Sequence, residues 1–309
     1  MSDWGIVGDG PWGLALARRL KAGEHSVTIV GLEKRRKGCP RGVTHTTDLK
    51  AVLRHHERLI FSVPIGEFEG LLDQAATILR PAHRIMSTAR GLTPDSHLRG
   101  TEAIGRLTAV RQLAVLAGAA DASALSSGSP VALVVGSAFP RWSEEIQNAL
   151  WSQTLRVYTN ADMIGVELAN VVASVVGVAL GVARAMGVGS AAEATALTRA
   201  LAEMNRVVSS LGGLEGTAYG LAGLGVLGEM VYDGQGHSFM AGQALAAGRP
   251  LEANEFREVQ ESARTLAARV TRNHIHAPLV TAVQAMFTGR VTAKDALNRL
   301  MERPVGAES

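Results

Sequence analysis

A single cysteine, Cys39, is all the thiol in this 309-residue chain. That excludes an internal disulfide framework and leaves no second thiol for a metal site, which suits a reducing compartment. Lysine is almost as scarce: Lys21, Lys34, Lys37, Lys50 and Lys294 are the whole set. The second half therefore has none before its last helix, and acid–base work by an ammonium there requires Lys294 to fold back. Excess charge is also small, with 31 Lys and Arg against 28 Asp and Glu for a formal net charge of +3. Apart from the short cluster Lys34 to Lys37, nothing gives the electrostatic footprint of a nucleic-acid binder. The longest apolar stretch, Val171 to Val182, is too short to span a bilayer and is interrupted by Ser174 and glycines. It reads as a helix buried on most sides. No positively charged leader precedes an apolar run, because Trp4-Gly5-Ile6-Val7 opens a strand almost at once. The expectation is a cytoplasmic protein with neither membrane nor nucleic-acid partner.

What is present is an ordinary globular composition, 47% hydrophobic and 19% charged, on a chain long enough for about two domains. Up to Thr159 short β-rich runs alternate with helical segments: Trp4 to Gly8, Ser26 to Val30, Leu59 to Val63, Arg84 to Thr88 and Val131 to Val135. Strand, helix, strand in succession argues for a parallel sheet covered on both faces. From Asn160 the texture changes, and Ala161 to Met186, Ala191 to Leu211 and Glu252 to Asn273 carry apolar residues at helical spacing. Asn160 or Asp162 is placed to cap the first of these helices. The expected organisation is an α/β domain over 1–159 followed by an all-helical domain over 160–309. The apolar helices leave room for a homodimer, although no heptad pattern specifies one.

Gly8-Asp9-Gly10-Pro11-Trp12-Gly13 follows the first strand and opens the helical run Leu14 to Leu20. Each glycine has a task. Gly8 makes the tight turn, Gly10 admits a pyrophosphate close to the backbone, and Gly13 lets helix and strand pack. The helix N-terminus then faces the phosphates, so the first domain is expected to be a Rossmann fold binding NAD or NADP. After the second strand the usual ribose-binding acid is missing from Gly31-Leu32-Glu33, and Lys34 and Arg35 follow. Nearby cations favour the extra phosphate of NADP, and a solvated charged loop is the alternative. Ser62-Val63-Pro64 ends its strand at the edge where open α/β sheets place ligands. His55-His56-Glu57 does not converge on one ion and reads as the polar end of a short helix.

With these pieces placed, the chain resembles the bacterial NAD(P)-dependent glycerol-3-phosphate dehydrogenases along nearly its whole length. The resemblance is carried by Gly8 to Gly13, Phe61-Ser62-Val63-Pro64, Thr88-Ala89-Arg90-Gly91-Leu92, Asp162 to Leu168, Leu197 to Met204 and Ala222-Gly223-Leu224-Gly225. It implies a cofactor cleft formed by Gly8, Gly10, Pro11, Trp12, Gly13, Ser62, Val63, Pro64, Arg90 and Glu261. Arg90 stands where the family has a lysine that reaches both cofactor and substrate. It keeps the charge but is a poor proton donor. Other family positions are lost: the catalytic lysine falls at Ala173, its neighbouring asparagine at Ser174, and an aspartate at Val226. The phosphate-gripping Ser-Arg-Asn run falls on Gly236-His237-Ser238.

His237 is the best remaining candidate for proton transfer, since imidazole titrates near neutrality; a surface histidine without a role is the plain alternative. Glu229, Tyr232 and Asp233 are neighbours of the same kind. Asn170, with Ser238, is a candidate substrate contact, and Glu167 and Asn170 equally suit an interdomain hydrogen-bond contact. Two readings stay open: a divergent oxidoreductase moving hydride to or from a small carbonyl or hydroxyl substrate, with dihydroxyacetone phosphate or glycerol 3-phosphate as the candidate the resemblance implies, and a non-catalytic nucleotide-binding relative acting as a sensor or binding module.

Overall fold

The computed structural model describes residues 2–31, 38–249, 251 and 255–301. Eight strands, β1 (Asp3–Val7), β2 (Ser26–Val30), β3 (Thr44–Thr46), β4 (Arg58–Phe61), β5 (Arg84–Ser87), β6 (Gln112–Ala117), β7 (Val131–Gly136) and β8 (Leu155–Asn160), form one sheet in the order β3-β2-β1-β4-β5-β6-β7-β8. From β3 to β6 all neighbours are parallel. Helices α1 (Pro11–Ala22), α2 (Leu49–His55), α3 (Phe68–Ala75), α4 (Gly100–Leu107), α5 (Ala122–Ser127) and α6 (Pro140–Leu150) connect the strands. Apolar clusters fill the sheet faces: Trp4, Leu16, Leu20 and Trp142 belong to one, and Leu53, Phe61, Phe68 and Leu72 to another. Strands buried on both faces read as unbroken apolar runs, which is why β1, β2 and β4 were legible.

The expectation of a wholly parallel sheet needs correcting. β7 pairs antiparallel with β6, and β8 follows β7 in parallel. Strand direction depends on where the connecting segment returns the chain, and no local pattern encodes that. β6, with its sequence Gln-Leu-Ala-Val-Leu-Ala, is a central strand built from residues that serve a helix equally well.

After β8 the chain is helical: α7 (Met163–Ala185), α8 (Ser190–Ser210), α9 (Val226–Asp233), α10 (His237–Ala246), α11 (Arg257–Arg272), α12 (Pro278–Phe287) and α13 (Ala293–Met301). α7, α8 and α11 fall where the periodicity placed them, α7 and α11 shorter and α8 of the expected length but one residue earlier; residues 252–254 of the third expected helix lie outside the described residues. Asp162 is the cap of α7. It accepts from Gly165 N at 2.8 Å, while its second oxygen takes Leu214 N and Thr217 Oγ1 at 2.7 and 2.6 Å. By length and composition α7 could cross a membrane, yet most of it is buried in the protein's own interior. One apolar cluster joins Val115, Ala117 and Val134 of the sheet to α7 and to Phe239, Leu266 and Val280.

A buried ionic contact crosses from sheet to helices. Glu167, on α7, accepts from Arg99 Nη1 and Thr101 N at 2.9 Å each and from Thr101 Oγ1. Of the two roles left open for Glu167, the structure gives it the interdomain contact. Arg269 of α11 reinforces the junction by binding His97 O at 2.8 Å and Glu102 at 3.2 Å. Removing one member of a buried, hydrogen-bonded charge pair strands the other. Glu167→Ala is therefore expected to lower unfolding free energy by about 3–5 kcal/mol in urea denaturation. Glu167→Leu combined with Arg99→Met should lose clearly less, and an equal loss would refute the ionic origin of the effect.

Candidate active site

Parallel strands end on the same side, so the loops after β1, β4, β5 and β6 share one edge of the sheet. Gly8 has φ +108°, and a Cβ there would lie 2.2 Å from the Ser62 carbonyl oxygen. A Cβ on Gly13 would lie 2.0 Å from Gly8 O, which gives that glycine the close helix–strand packing expected of it. Gly10 differs from both: a Cβ would meet nothing within 4 Å. Gly10 is also the N-terminal boundary residue of α1, whose first amides no side chain caps, and Pro11 follows as the first helical residue. Open space above uncapped amides at a positive dipole end is a fit for a pyrophosphate. Trp12 packs partly against the sheet-face cluster.

At the end of β2 an acid does appear, but from a different segment. A Cβ on Gly31 would lie 2.1 Å from Asp9 Oδ2, so the Asp9 carboxylate stands where a side chain of residue 31 would project. His45 Nε2 meets the same oxygen at 3.2 Å. Asp9 was overlooked because it occupies a variable position of the glycine motif. Lys34 and Arg35 lie outside the described residues.

Beside Gly8, Ser62 Oγ accepts from Thr88 Oγ1 at 3.1 Å, Val63 packs on the apolar cluster beneath, and Pro64 is exposed ahead of a short 3-10 turn. Arg90 is half-buried just past β5 and, among the described residues, makes neither hydrogen bond nor ion pair. Burial works against its charge, and Glu229, Glu258 and Asp121 work for it. Gly91 (φ +109°) brings this loop against α11, since a Cβ there would sit 2.8 Å from Ser262 Oγ. Glu261, one residue before Ser262, is ion-paired with Arg264, which donates to Pro94 O at 2.8 Å. It therefore stands at the rim of the same loop.

From the helical side, Asn170 is 1% exposed, and its Oδ1 has no hydrogen-bond partner among the described residues. Its backbone oxygen accepts from Ser174 Oγ at 3.1 Å. Ala173 and Val226, at the lost family positions, are 0% and 2% exposed. Ser238 is buried, whereas His237 is exposed, with Nε2 on Glu255 O at 3.1 Å and its ring edge-on to Phe256. Glu229, on α9, is half-buried without a hydrogen bond or ion pair among the described residues. Burial pushes its carboxyl up; Arg90 opposes this, while Asp233 and Asp121 add to it. Lys294 is exposed on α13, which packs on α10 and α12.

A glycine turn into an uncapped helix, an edge of loops after parallel strands and a facing helical layer define a Rossmann-type dinucleotide-dependent oxidoreductase. A family model described as the NAD-dependent glycerol-3-phosphate dehydrogenase N-terminus matches residues 35–143, and one described as its C-terminus matches residues 162–298. A glycerol-3-phosphate dehydrogenase [NAD(P)+] from Alkalilimnicola ehrlichii is 32% identical over 98% of both chains. One from Acidobacterium capsulatum is 31% identical, over 98% of this chain and 99% of its own. The crystal structure of glycerol-3-phosphate dehydrogenase from Coxiella burnetii superposes with a TM-score of 0.89 at 27% identity, covering 97% of this chain and 99% of that one. The chain belongs to the NAD(P)-dependent glycerol-3-phosphate dehydrogenase family, oxidoreductases acting on a CH–OH group.

The two glycines separate binding from folding. Gly10→Leu is expected to abolish NADPH binding in a fluorescence titration while leaving the thermal midpoint near wild type, because its side chain enters space that only a ligand fills. Gly8→Val should lower the midpoint itself. Unchanged NADPH affinity in Gly10→Leu would refute the placement of the pyrophosphate.

Proposed function

We propose that this protein moves hydride between a nicotinamide and a small carbonyl or hydroxyl substrate held between a cofactor domain, residues 1–159, and a substrate domain, residues 160–309. The observation that carries this is Arg90, a half-buried guanidinium at the sheet edge that makes no hydrogen bond or ion pair among the described residues, with carboxylates acting on it only through space. An unpaired buried charge is costly, and a ligand oxygen would relieve it. The orphaned Asn170 Oδ1 supports the same reading from the facing helix.

In this reading the amides at Gly10 to Gly13 hold the pyrophosphate of NAD or NADP, and Ser62, Val63, Pro64 and Glu261 line the nicotinamide. Arg90 touches both cofactor and substrate. Asn170 and Ser238 face the substrate, and His237 contributes at the rim through Nδ1. The bound nicotinamide supplies or accepts the hydride. Asp9 at the end of β2 suits the ribose hydroxyls of NAD, and Lys34 with Arg35 suits the 2′-phosphate of NADP. The protein is placed in the cytoplasm as a homodimer acting on a small molecule, with no membrane or nucleic-acid partner.

The named reaction of the relatives concerns glycerol 3-phosphate. Apolar, closed positions at Ala173 and Val226 argue that this substrate is handled poorly here, and the same two residues favour the rival reading of a nucleotide-binding relative without catalysis. With dihydroxyacetone phosphate and NADPH, turnover is expected about 10²–10⁴-fold below an intact family site, the range that positioned acid–base catalysis supplies. Ala173→Lys with Val226→Asp should lower the thermal midpoint without restoring the rate, because both side chains would be buried in the apolar cluster. Vigorous wild-type turnover, or recovery in the double variant, would overturn this. NADPH binding without reduction of any carbonyl would favour the rival.

Replacing Lys34 and Arg35 together with alanine should weaken NADPH more than NADH, with the gap narrowing at high salt. Equal losses would return both to a solvated loop.

A further inference from the structure

We propose that Glu229, on the helix that follows the turn packed on the sheet-edge loops, is the proton carrier of this site and acts on an uncharged carbonyl. The proposal rests on the hydride-transfer reading above and deepens it. Three observations place the helix that carries it. α9 follows directly on the π-helical turn Leu221–Gly225, which is pressed to the sheet edge: a Cβ on Gly225 would lie 3.6 Å from Ala119 Cβ in the loop after β6. On its other side Met230 lies against α7, where a Cβ on Gly177 would come 2.6 Å from Met230 Sδ. Glu229 thus sits on a helix wedged between the sheet-edge loops and α7, the helix that carries Asn170 and Ala173. Within α9 it is three residues from Val226, so the two share a side of the helix, and the carboxylate missing at Val226 is present one turn later.

The groups facing it complete the argument. Arg90 and Asp121 approach from the loops after β5 and β6, Asp233 lies on its own helix, and Glu258 of α11 acts on Arg90. Neither Glu229 nor Arg90 has a hydrogen-bond partner among the described residues, so both are available to a ligand. A guanidinium can polarise a carbonyl oxygen but does not give up a proton. A carboxyl can. As hydride from the nicotinamide reaches the carbonyl carbon, the C=O π bond breaks and its electron pair takes the Glu229 proton, giving the hydroxyl and a carboxylate that solvent reprotonates. Oxidation runs the same steps backwards. Burial holds the Glu229 carboxyl above its ordinary range, the direction a general acid needs. Asp121, Glu229 and Glu258 near the Arg90 guanidinium, with Asp233 beside Glu229, repel a phosphate dianion, which selects an uncharged aldehyde or ketone.

The test uses the full chain with NADPH and three probes: glyceraldehyde, dihydroxyacetone and dihydroxyacetone phosphate. Glu229→Gln is expected to lower kcat by about 10²–10⁴-fold on the uncharged probes, to leave NADPH affinity unchanged, and to remove the fall of kcat as pH rises through the range of the raised carboxyl. His237→Ala should lose far less of the rate than Glu229→Gln, and the uncharged probes should react faster than the phosphate. A Glu229→Gln rate within twofold of wild type, abolition by His237→Ala instead, or a preference for the phosphate would each overturn the proposal.

A second readout does not depend on turnover. Because the folded state holds this proton more tightly than the unfolded chain, stability falls as pH rises through the folded-state range. Glu229→Gln should match wild type in Tm at low pH and exceed it at higher pH. The absence of that divergence overturns the proposal whatever the activity. Divergence with a wild type inert on all three probes overturns the hydride-transfer reading and the proton-carrying role with it.

Discussion

The buried carboxylate of Glu167 is the contact on which the geometry of the cleft depends. It takes a guanidinium, a backbone amide and a hydroxyl from the start of α4 while belonging to α7, the central helix of the other layer. Such a group is stable only when all its partners are in place, because an uncompensated charge in that environment is far worse than a lost apolar contact. It therefore fixes one orientation of α7 over the end of β5. Everything α7 carries, from Asn170 and Ala173 to the small Gly177 on which Met230 rests, is positioned by that choice. Glu203 does comparable work deeper in the helical layer, holding the amides of Leu279 and Val280 at the start of α12.

With the two layers locked, the sheet edge can be loose in its chemistry and strict in its shape. Gly8 and Gly13 leave no room for a side chain, whereas Gly10 opens on free space, a contrast within six residues that suits the approach of a phosphate. The helical face shows the opposite pattern. Its backbone path is that of the glycerol-3-phosphate dehydrogenases, and Ala173 and Val226 on it are buried apolar residues. Arg90 and Glu229 are half-buried charged groups, and a shared fold does not by itself fix the chemistry of a site.

Local features were legible wherever one physical requirement dictated the residue type. The glycine turn could be read because positive φ and close backbone approach allow nothing else, and α7, α8 and α11 because a buried helical face enforces its own period. Asp162 was recognisable as a cap for the same reason, and the full-length ordering of these pieces was enough for the family. β6 was not legible, since its alanines and leucines satisfy a helix and a buried strand alike.

The chain by itself thus determined the order of the elements, the nucleotide turn and the loss of lysine from the second half. Only the tertiary structure decided that β7 runs against its neighbour, that Asp9 stands where a side chain of residue 31 would project, and that Arg90 and Glu229 come within electrostatic reach of one another. Each of these joins residues from separate segments of the chain. A local pattern records what one segment must bury or turn, but not which distant segment it will meet, because that is set by the packing of whole layers.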